Sequence, residues 1–171
     1  VFAAIGLVTA SGAFTTVQAE RTATVNVEGD GSALLQLTPT SGPNSEYADS
    51  SGDALSIDLG TTTSGGGSGV NDEAVTKIDN IVNVTNQGTQ EVTLTVSSYS
   101  ASSPLNTGEG ESAPNFYVYN NAASGTDLQD TTITLGPGEG TNVSVYVDTT
   151  GNALSSSDSI DVTVTLDASA T

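Results

Sequence analysis

Apolar residues recur at every second position in short runs along most of this chain, and that period restricts the fold to β-strands. From Val143 to Val147, for example, valine alternates with serine and tyrosine. Alternation of this kind predicts strands with one buried face and one outward face. The predicted strands contain Val25 and Val27; Leu55, Ile57 and Leu59; Ile78 to Thr85; Val92, Leu94 and Val96; Phe116 and Val118; Ile133 and Leu135; Val143, Val145 and Val147; and Ile160, Val162, Val164 and Leu166.

Turn sequences separate these runs, among them Asn86-Gln87-Gly88 and Gly136-Pro137-Gly138-Glu139-Gly140. No helix of about ten residues fits the pattern. Short strands at intervals of about 8 to 15 residues close a core as an antiparallel β-sandwich, and about nine strands in a jelly-roll-like arrangement are predicted. Residues 38–53, 60–70 and 98–114 fall outside the alternation and are predicted loops.

The net charge of the chain indicates which partners it can bind and in what salt concentration it functions. It carries 20 Asp and Glu against 2 Lys and Arg, a formal net charge of -18. Such a surface repels the phosphates of nucleic acids and the headgroups of anionic lipids, so we expect neither as a partner. Molar salt shortens the Debye length to about 3 Å and makes this surface tolerable. The composition therefore predicts a protein of a halophile.

The residue types also bear on chemistry. Histidine and cysteine are absent, which excludes imidazole bases, thiolate nucleophiles and most zinc sites. The close acidic pairs are explained by the density of carboxylates on a solvated surface: Glu28 with Asp30, Asp72 with Glu73, and Glu109 with Glu111. We predict no enzyme and no cofactor. A structural cation such as calcium, held by acidic loops, remains open, with no ligands assigned.

The first residues are apolar on both faces when they are written as a strand. This segment comprises Val1, Phe2, Ala3, Ala4, Ile5, Gly6, Leu7 and Val8. Only a strand that is buried on both sides has this pattern. It is predicted to be a donor strand that enters the open sheet of an identical subunit, unless it folds into its own sheet. Donor and acceptor are different surfaces, so the contact does not close and produces an open helical polymer. The predicted organisation is residues 1–13 as strand and linker and 14–171 as the sandwich domain.

The segment Val1 to Val8 also indicates where in or outside the cell the protein is located. It is too short to span a bilayer, which takes about 20 apolar residues. It is similar to the hydrophobic region of a signal peptide ending in small residues, Thr9 to Ala13, without the basic leader. We expect a chain that is secreted with a removed signal peptide, lies at the cell surface and has no membrane contact in its mature form.

Two Asn-x-Ser/Thr triplets are candidates for N-glycosylation, at Asn83 and Asn142. Alternation places Asn83 between the inward Val82 and Val84. It also places Asn142 on the outward face with Ser144 and Tyr146.

The stretch Ser11-Gly12-Ala13-Phe14-Thr15-Thr16-Val17-Gln18-Ala19-Glu20-Arg21-Thr22, with Val25-Asn26-Val27 and Ala33 to Leu37, resembles the N-terminal region of secreted haloarchaeal surface proteins. These resemble the TasA and camelysin class of biofilm-fibre subunits and archaeal bundling pili. The hairpin Leu135 to Asp148 is similar to one common in that class. The resemblance implies a jelly-roll-like subunit whose N-terminal strand completes the next subunit of an extracellular fibre, with lateral bundling. Some relatives begin near the residues that match Ala13 and Phe14, so both 1–9 and 13–27 are candidate donor segments.

The predicted function is therefore that of a structural filament subunit of a halophilic archaeon. A type IV pilin-like subunit is an alternative, but it needs a longer unbroken apolar helix than Gly6 and Gly12 permit. A monomeric adhesion or carbohydrate-binding sandwich is another alternative. Its marker would be an exposed aromatic platform, for which Phe116, Tyr117 and Tyr119 are the available cluster, with Tyr117 and Tyr119 on one face.

Overall fold

The computed structural model describes residues 21–27, 35–51, 55–59, 69–71, 73–101, 105–120, 125–151 and 160–171. Within these ranges the chain is mostly β-strand with almost no helix, as predicted. The strands are β1 (Arg21–Val27), β2 (Leu35–Pro39), β3 (Ala48–Asp49), β4 (Ser56–Asp58), β5 (Val75–Asn86), β6 (Val92–Ala101), β7 (Asn106–Thr107), β8 (Asn115–Tyr119), β9 (Ile133–Leu135), β10 (Gly140–Asp148) and β11 (Ile160–Ala170). A 3-10 helix spans Pro43–Tyr47.

The described strands form two sheets. One has six strands in the order β3-β4-β1-β11-β6-β9, and the other has five in the order β2-β5-β10-β8-β7. Most neighbouring strands are antiparallel, but β1 is parallel to β11 and β7 is parallel to β8. The parallel pair of β1 and β11 joins residues 21–27 to residues 160–166, which are far apart in the sequence. Parallel pairing of these two strands is possible because parallel neighbours need a long connection rather than a tight turn, and a long stretch of chain separates β1 from β11.

Every run with the predicted alternation forms a strand, whereas three strands were not predicted. β3 and β7 have two residues each, too few to show a period, and they lie in the predicted loops 38–53 and 98–114. The first of those loops also contains the 3-10 helix, and β6 extends into the second because serine-rich residues continue its pairing with β11. The third missed strand is β2, which has only five residues and ends at a proline that lacks the N–H of a ladder donor. Residues 60–68 lie outside the described part.

One hydrophobic core receives side chains from both sheets. Ile57, Leu94 and Val164 come from the six-stranded sheet, and Val84 and Val145 come from the five-stranded sheet; each is at most 1% exposed. Burial of one such aliphatic side chain stabilises the fold by about 1.5–3 kcal/mol. The alternating valines of the sequence therefore provide the contact between the sheets.

Residues 125–130, here called the bridging segment, connect the two sheets along one side. The Leu128 N–H donates to the Val118 carbonyl of β8 at 2.9 Å, and the Leu128 carbonyl accepts the Val96 N–H of β6 at 2.9 Å. Its side chain is completely buried in the core. A single residue thus pairs with a strand of each sheet and fills the space between them.

Within the described residues no helix has the length and apolarity required to cross a bilayer.

Replacement of Leu128 by Ala should lower the free energy of unfolding by about 2–5 kcal/mol, because it opens a cavity where the two sheets meet. Val75→Ala is the control, since Val75 is 50% exposed and its change should stay within about 0.5 kcal/mol. Urea unfolding in molar salt measures both values. Equal effects of the two substitutions would contradict the role of Leu128.

Candidate functional site

The two lateral sides of the molecule differ in how their sheet edges are protected. On one side, β6 pairs with β9 only through Val92 to Leu94, and the bridging segment then receives the Val96 N–H. On the same side, β8 pairs with the two-residue β7, and Tyr119 of β8 bridges to Asp127. Along this side each sheet ends in a strand of two or three residues, β7 or β9, and the bridging segment pairs with part of β6 and β8; we call it the closed side.

On the opposite side the five-stranded sheet ends in β2. This strand pairs with β5 from Leu35↔Asn86 to Pro39↔Val82, and no other described strand pairs with its outer side. We call the outer side of β2 the open edge. Leu35 and Leu37 are only partly buried and pack against the core. The open edge thus combines main-chain hydrogen-bonding groups with apolar side chains that further burial would stabilise.

A buried carboxylate holds the closed side together. Asp127 is completely buried, and its Oδ1 accepts the Gln129 N–H at 2.9 Å and the Tyr99 hydroxyl. Its Oδ2 accepts the Glu109 N–H at 3.0 Å, while the Asp127 N–H donates to Glu109 Oε2 at 3.1 Å. The Tyr99 hydroxyl in turn accepts the Val118 N–H at 3.0 Å. The two acids therefore satisfy backbone donors and act as a structural clasp.

Burial determines the titration of this clasp. It raises the pKa of Asp127 above the ordinary value of 3.8, although the hydrogen bonds from Tyr99 and from backbone N–H groups lower it in part. Burial also raises the pKa of Tyr99, and its hydrogen bond to Asp127 raises it further. The described residues contain no group of three or more acidic side chains arranged to hold a metal ion. Of the acidic pairs noted in the sequence, Glu28, Asp30 and Asp72 lie outside the described part.

The two candidate glycosylation residues are direct neighbours. Asn83 of β5 and Asn142 of β10 are cross-strand partners, and Asn83 Nδ2 donates to Asn142 Oδ1 at 2.9 Å. Thr85 Oγ1 donates to Asn83 Oδ1 at 2.6 Å. Asn142 is exposed, whereas Asn83 is half-buried between the buried Val82 and Val84, as expected. Their separation along the chain gave no sign of this contact, which depends on the register of β5 and β10.

The outward placement of Ser144 is wrong. A β-bulge between Val143 and Val145 interrupts the alternation. Ser144 is completely buried, and its Oγ accepts the Asn80 N–H at 2.9 Å. The extra residues of this irregularity lie on β5, at 79–81, and opposite them Ser144 is buried between Val143 and Val145, which a period of two does not predict.

The predicted tyrosine pair lies on one face of β8 but is not exposed. Tyr117 and Tyr119 have ring centroids 6.2 Å apart and are 7% and 4% exposed, while Phe116 lies in the core. Tyr117 stacks on Tyr146 with centroids 4.4 Å apart. Lys77 Nζ lies 5.5 Å from the centroid of the Tyr146 ring. Sequence reasoning missed Tyr146 as the third ring, although its alternation with Val145 and Val147 gave its face.

One further hydrogen bond and two raised pKa values belong to this cluster. The Tyr119 hydroxyl donates to Asp79 Oδ1, and burial raises the pKa of both Tyr117 and Tyr119. These rings are packing groups in this structure. They do not form the exposed aromatic platform that would mark the alternative of a monomeric carbohydrate-binding sandwich.

The candidate donor residues Val1 to Val8, and the division of the chain at residue 13, lie outside the described residues. Of the second candidate donor range, residues 13–20 also lie outside, whereas residues 21–27 form β1. That strand is placed between β4 and β11 in the interior of the six-stranded sheet.

No protein-family model matches the chain, and no curated protein is significantly similar to it.

Replacement of Asp127 by Asn should destabilise the fold by about 1–3 kcal/mol, because a buried acceptor is lost and backbone donors are left unsatisfied. The raised pKa sets the pH dependence. Between 3.8 and the higher pKa of the folded state, the folded protein holds more protons, so the contribution of Asp127 to stability falls as pH rises.

The stability difference between the natural chain and D127N should therefore shrink from pH 4 to pH 7. Urea unfolding in molar salt at several pH values measures it, with general charge repulsion screened. A difference that grows with pH would mean that Asp127 behaves as an ordinary ion-paired carboxylate.

Proposed function

We propose that this chain is a structural subunit of an extracellular filament and polymerises head to tail by donating its N-terminal segment, Val1 to Val8, to a neighbouring subunit. The acceptor is the open edge along β2. The two sheets act as the faces of a jelly-roll-like β-sandwich, and the donated strand extends the five-stranded sheet. The filament is that of a halophilic archaeon and belongs to the kind built by TasA and camelysin subunits.

The observation that carries this proposal is the difference between the closed side and the open edge. Natural proteins protect sheet edges with charged side chains, prolines, very short strands or a covering segment. The closed side has its bridging segment, whereas β2 reads Leu-Gln-Leu-Thr-Pro, with no charged residue and with its proline only at the last position. In a chain with 20 acidic residues, an uncharged edge of this length is a surface suited to strand addition.

The position of β1 supports the choice of donor. β1 pairs with β4 on one side and with β11 on the other, through seven residues of register with β11. Its removal would break two ladders in the middle of a sheet. The segment that precedes β1 is therefore the better donor. Residues 9–20 span at most about 40 Å when fully extended, enough to reach an adjacent subunit.

Donation from the N-terminus to β2 joins two different surfaces. Such a heterologous contact leaves a free donor and a free acceptor at the two ends of any oligomer, so growth continues and produces a filament. The high negative charge favours function in molar salt, where repulsion between neighbouring subunits is screened. Lateral bundling then depends on surfaces away from β2, and Asn83 and Asn142 are the candidate glycan carriers.

Deletion of residues 1–8 should abolish filaments and leave a folded subunit, because the donor is lost while both sheets remain. Ile5→Asp should have a similar effect, since insertion would bury an unpaired charge. Ser11→Asp is the control, with the same charge change in the small-residue linker. Sedimentation and electron microscopy in molar salt measure assembly, and circular dichroism verifies the fold. Filaments formed equally by I5D and S11D would exclude Val1 to Val8 as the donor.

A second pair of variants tests the acceptor. Gln36→Lys adds a charge to the exposed middle of β2 and should reduce assembly, because a lysine on an edge strand opposes strand addition. Thr134→Lys makes the same change in charge on β9, at an exposed position of the closed side, and should leave assembly unchanged. Loss of assembly in T134K, with normal filaments in Q36K, would move the acceptor to the other side.

A further inference from the structure

A polar groove lies beside the cross-strand pair Asn83 and Asn142. Its volume is about 420 Å³, within the range of about 300–1,000 Å³ that is common for ligand sites. Residues 38–42 form one wall, and Asn80, Asn83 and Asn142 form the other. We call it the amide groove.

An irregular backbone builds the amide groove. Asn80 has a φ of 56°, in the left-handed region that non-glycine residues rarely adopt. Asn80 lies among the extra residues of the bulge on β5; its N–H donates to Ser144 Oγ of β10, and its carbonyl accepts the Thr40 hydroxyl at 2.6 Å. The Thr40 N–H donates to the Ile81 carbonyl at 3.0 Å. A bulge and a left-handed asparagine thus meet at one place, and such irregularities concentrate at functional sites.

The polar groups of the groove are neutral. Its lining contains amides and hydroxyls but no ionisable side chain, although the chain has 20 acidic residues. Asn80 is exposed, and its side-chain amide makes no hydrogen bond within the described part of the chain. Asn142 is also exposed, and its Oδ1 accepts a single bond, from Asn83.

This lining selects among classes of ligand. A phosphate or carboxylate would need a cation, and a bound metal ion would favour carboxylates. The lining residues provide neither. Each asparagine amide offers two N–H donors and one acceptor oxygen, and threonine hydroxyls both donate and accept. Sugar hydroxyls have the same dual character, so a neutral sugar ring matches this set of groups.

We propose that the amide groove binds a neutral carbohydrate, with the Asn80 and Asn142 amides and the hydroxyls of the 38–42 wall as its hydrogen-bonding groups. This binding is additional to filament formation and does not require it. It uses the Asn142 amide in its unglycosylated form, because a glycan attached at Asn142 would occupy the groove. The sugar has two potential sources, a free oligosaccharide or a glycan carried by a protein, which includes a glycan on another copy of this chain.

The test is isothermal titration calorimetry of the full chain in molar salt. One arm uses free neutral oligosaccharides of glucose, galactose and mannose, and the second uses a peptide that carries a neutral N-linked glycan. An oligosaccharide of galacturonate is the charged control. We expect saturable binding in at least one neutral arm and none with galacturonate. The arm that binds identifies the source.

Two matched variants locate the site. Asn80→Gly removes the amide and keeps the left-handed backbone, which glycine adopts without strain. Glu73→Gly is its control, since Glu73 has a φ of 55° and does not line the groove. N80G should bind the sugar about three- to tenfold more weakly, the loss expected for one hydrogen bond. E73G should bind as the natural chain does.

Thermal unfolding of both variants shows whether the fold is retained. N80G should unfold at the same temperature as the natural chain or above it, because strain at residue 80 is relieved. The proposal is overturned by an absence of saturable binding in both neutral arms, or by equal affinities of N80G and E73G in a folded state.

Discussion

The hydrogen bonds of Leu128 to both sheets are the interaction on which the rest of this structure depends. The backbone of Leu128 completes β8 on one side and β6 on the other, while its side chain occupies the core between them. The preceding residue, Asp127, fixes this position through its clasp with Glu109 and its bond to Tyr99. Closure of one side by a few residues contrasts with β2, beside whose outer side no further described strand pairs. The direction of the proposed assembly, from the donor segment of one subunit to β2 of the next, follows from the difference between the closed side and the open edge.

The buried clasp also explains how a strongly acidic chain can place a carboxylate in its interior. Asp127 is surrounded by donors that belong to the backbone and to Tyr99 rather than by cations. Hydrogen bonds from several donors offset part of the cost of removing the charge from water. The chain has only Lys77 and Arg21 as basic residues, and the hydrogen bonds that hold Asp127 come from other residues. The open edge and the amide groove, by contrast, are lined by uncharged residues, so the proposed donor strand and the proposed ligand would meet no carboxylate there.

The sequence was sufficient to predict the strands that have long alternating runs, because a period of two follows directly from the geometry of a half-buried strand. It could not reveal β3 and β7, whose two residues each are defined only by their neighbours. The parallel pairing of β1 with β11 was also hidden, since it joins residues more than a hundred positions apart. The error at Ser144 originates in β5, because the extra residues 79–81 of β5 lie opposite Ser144 and include the Asn80 N–H that Ser144 Oγ accepts, a contact that the pattern along β10 alone does not show.

Of the candidate sites, too, the sequence predicts some features, whereas others depend on contacts between strands. The triplets at Asn83 and Asn142 are visible in the sequence, but their mutual hydrogen bond depends on the register of β5 and β10. The shared face of Tyr117 and Tyr119 was predictable from alternation, whereas their burial depends on tertiary contacts such as the stack on Tyr146. The left-handed Asn80 left no sequence signal, because asparagine is common in both turns and strand ends of this chain.

A helical reconstruction of filaments by electron cryomicroscopy in molar salt tests strand donation most directly. The account predicts an extra strand beside β2 of every subunit, with side-chain density for Val1 to Val8 that is continuous with β1 of the adjacent subunit. A filament in which β2 remains uncovered, or in which Val1 to Val8 pack within their own subunit, would contradict it.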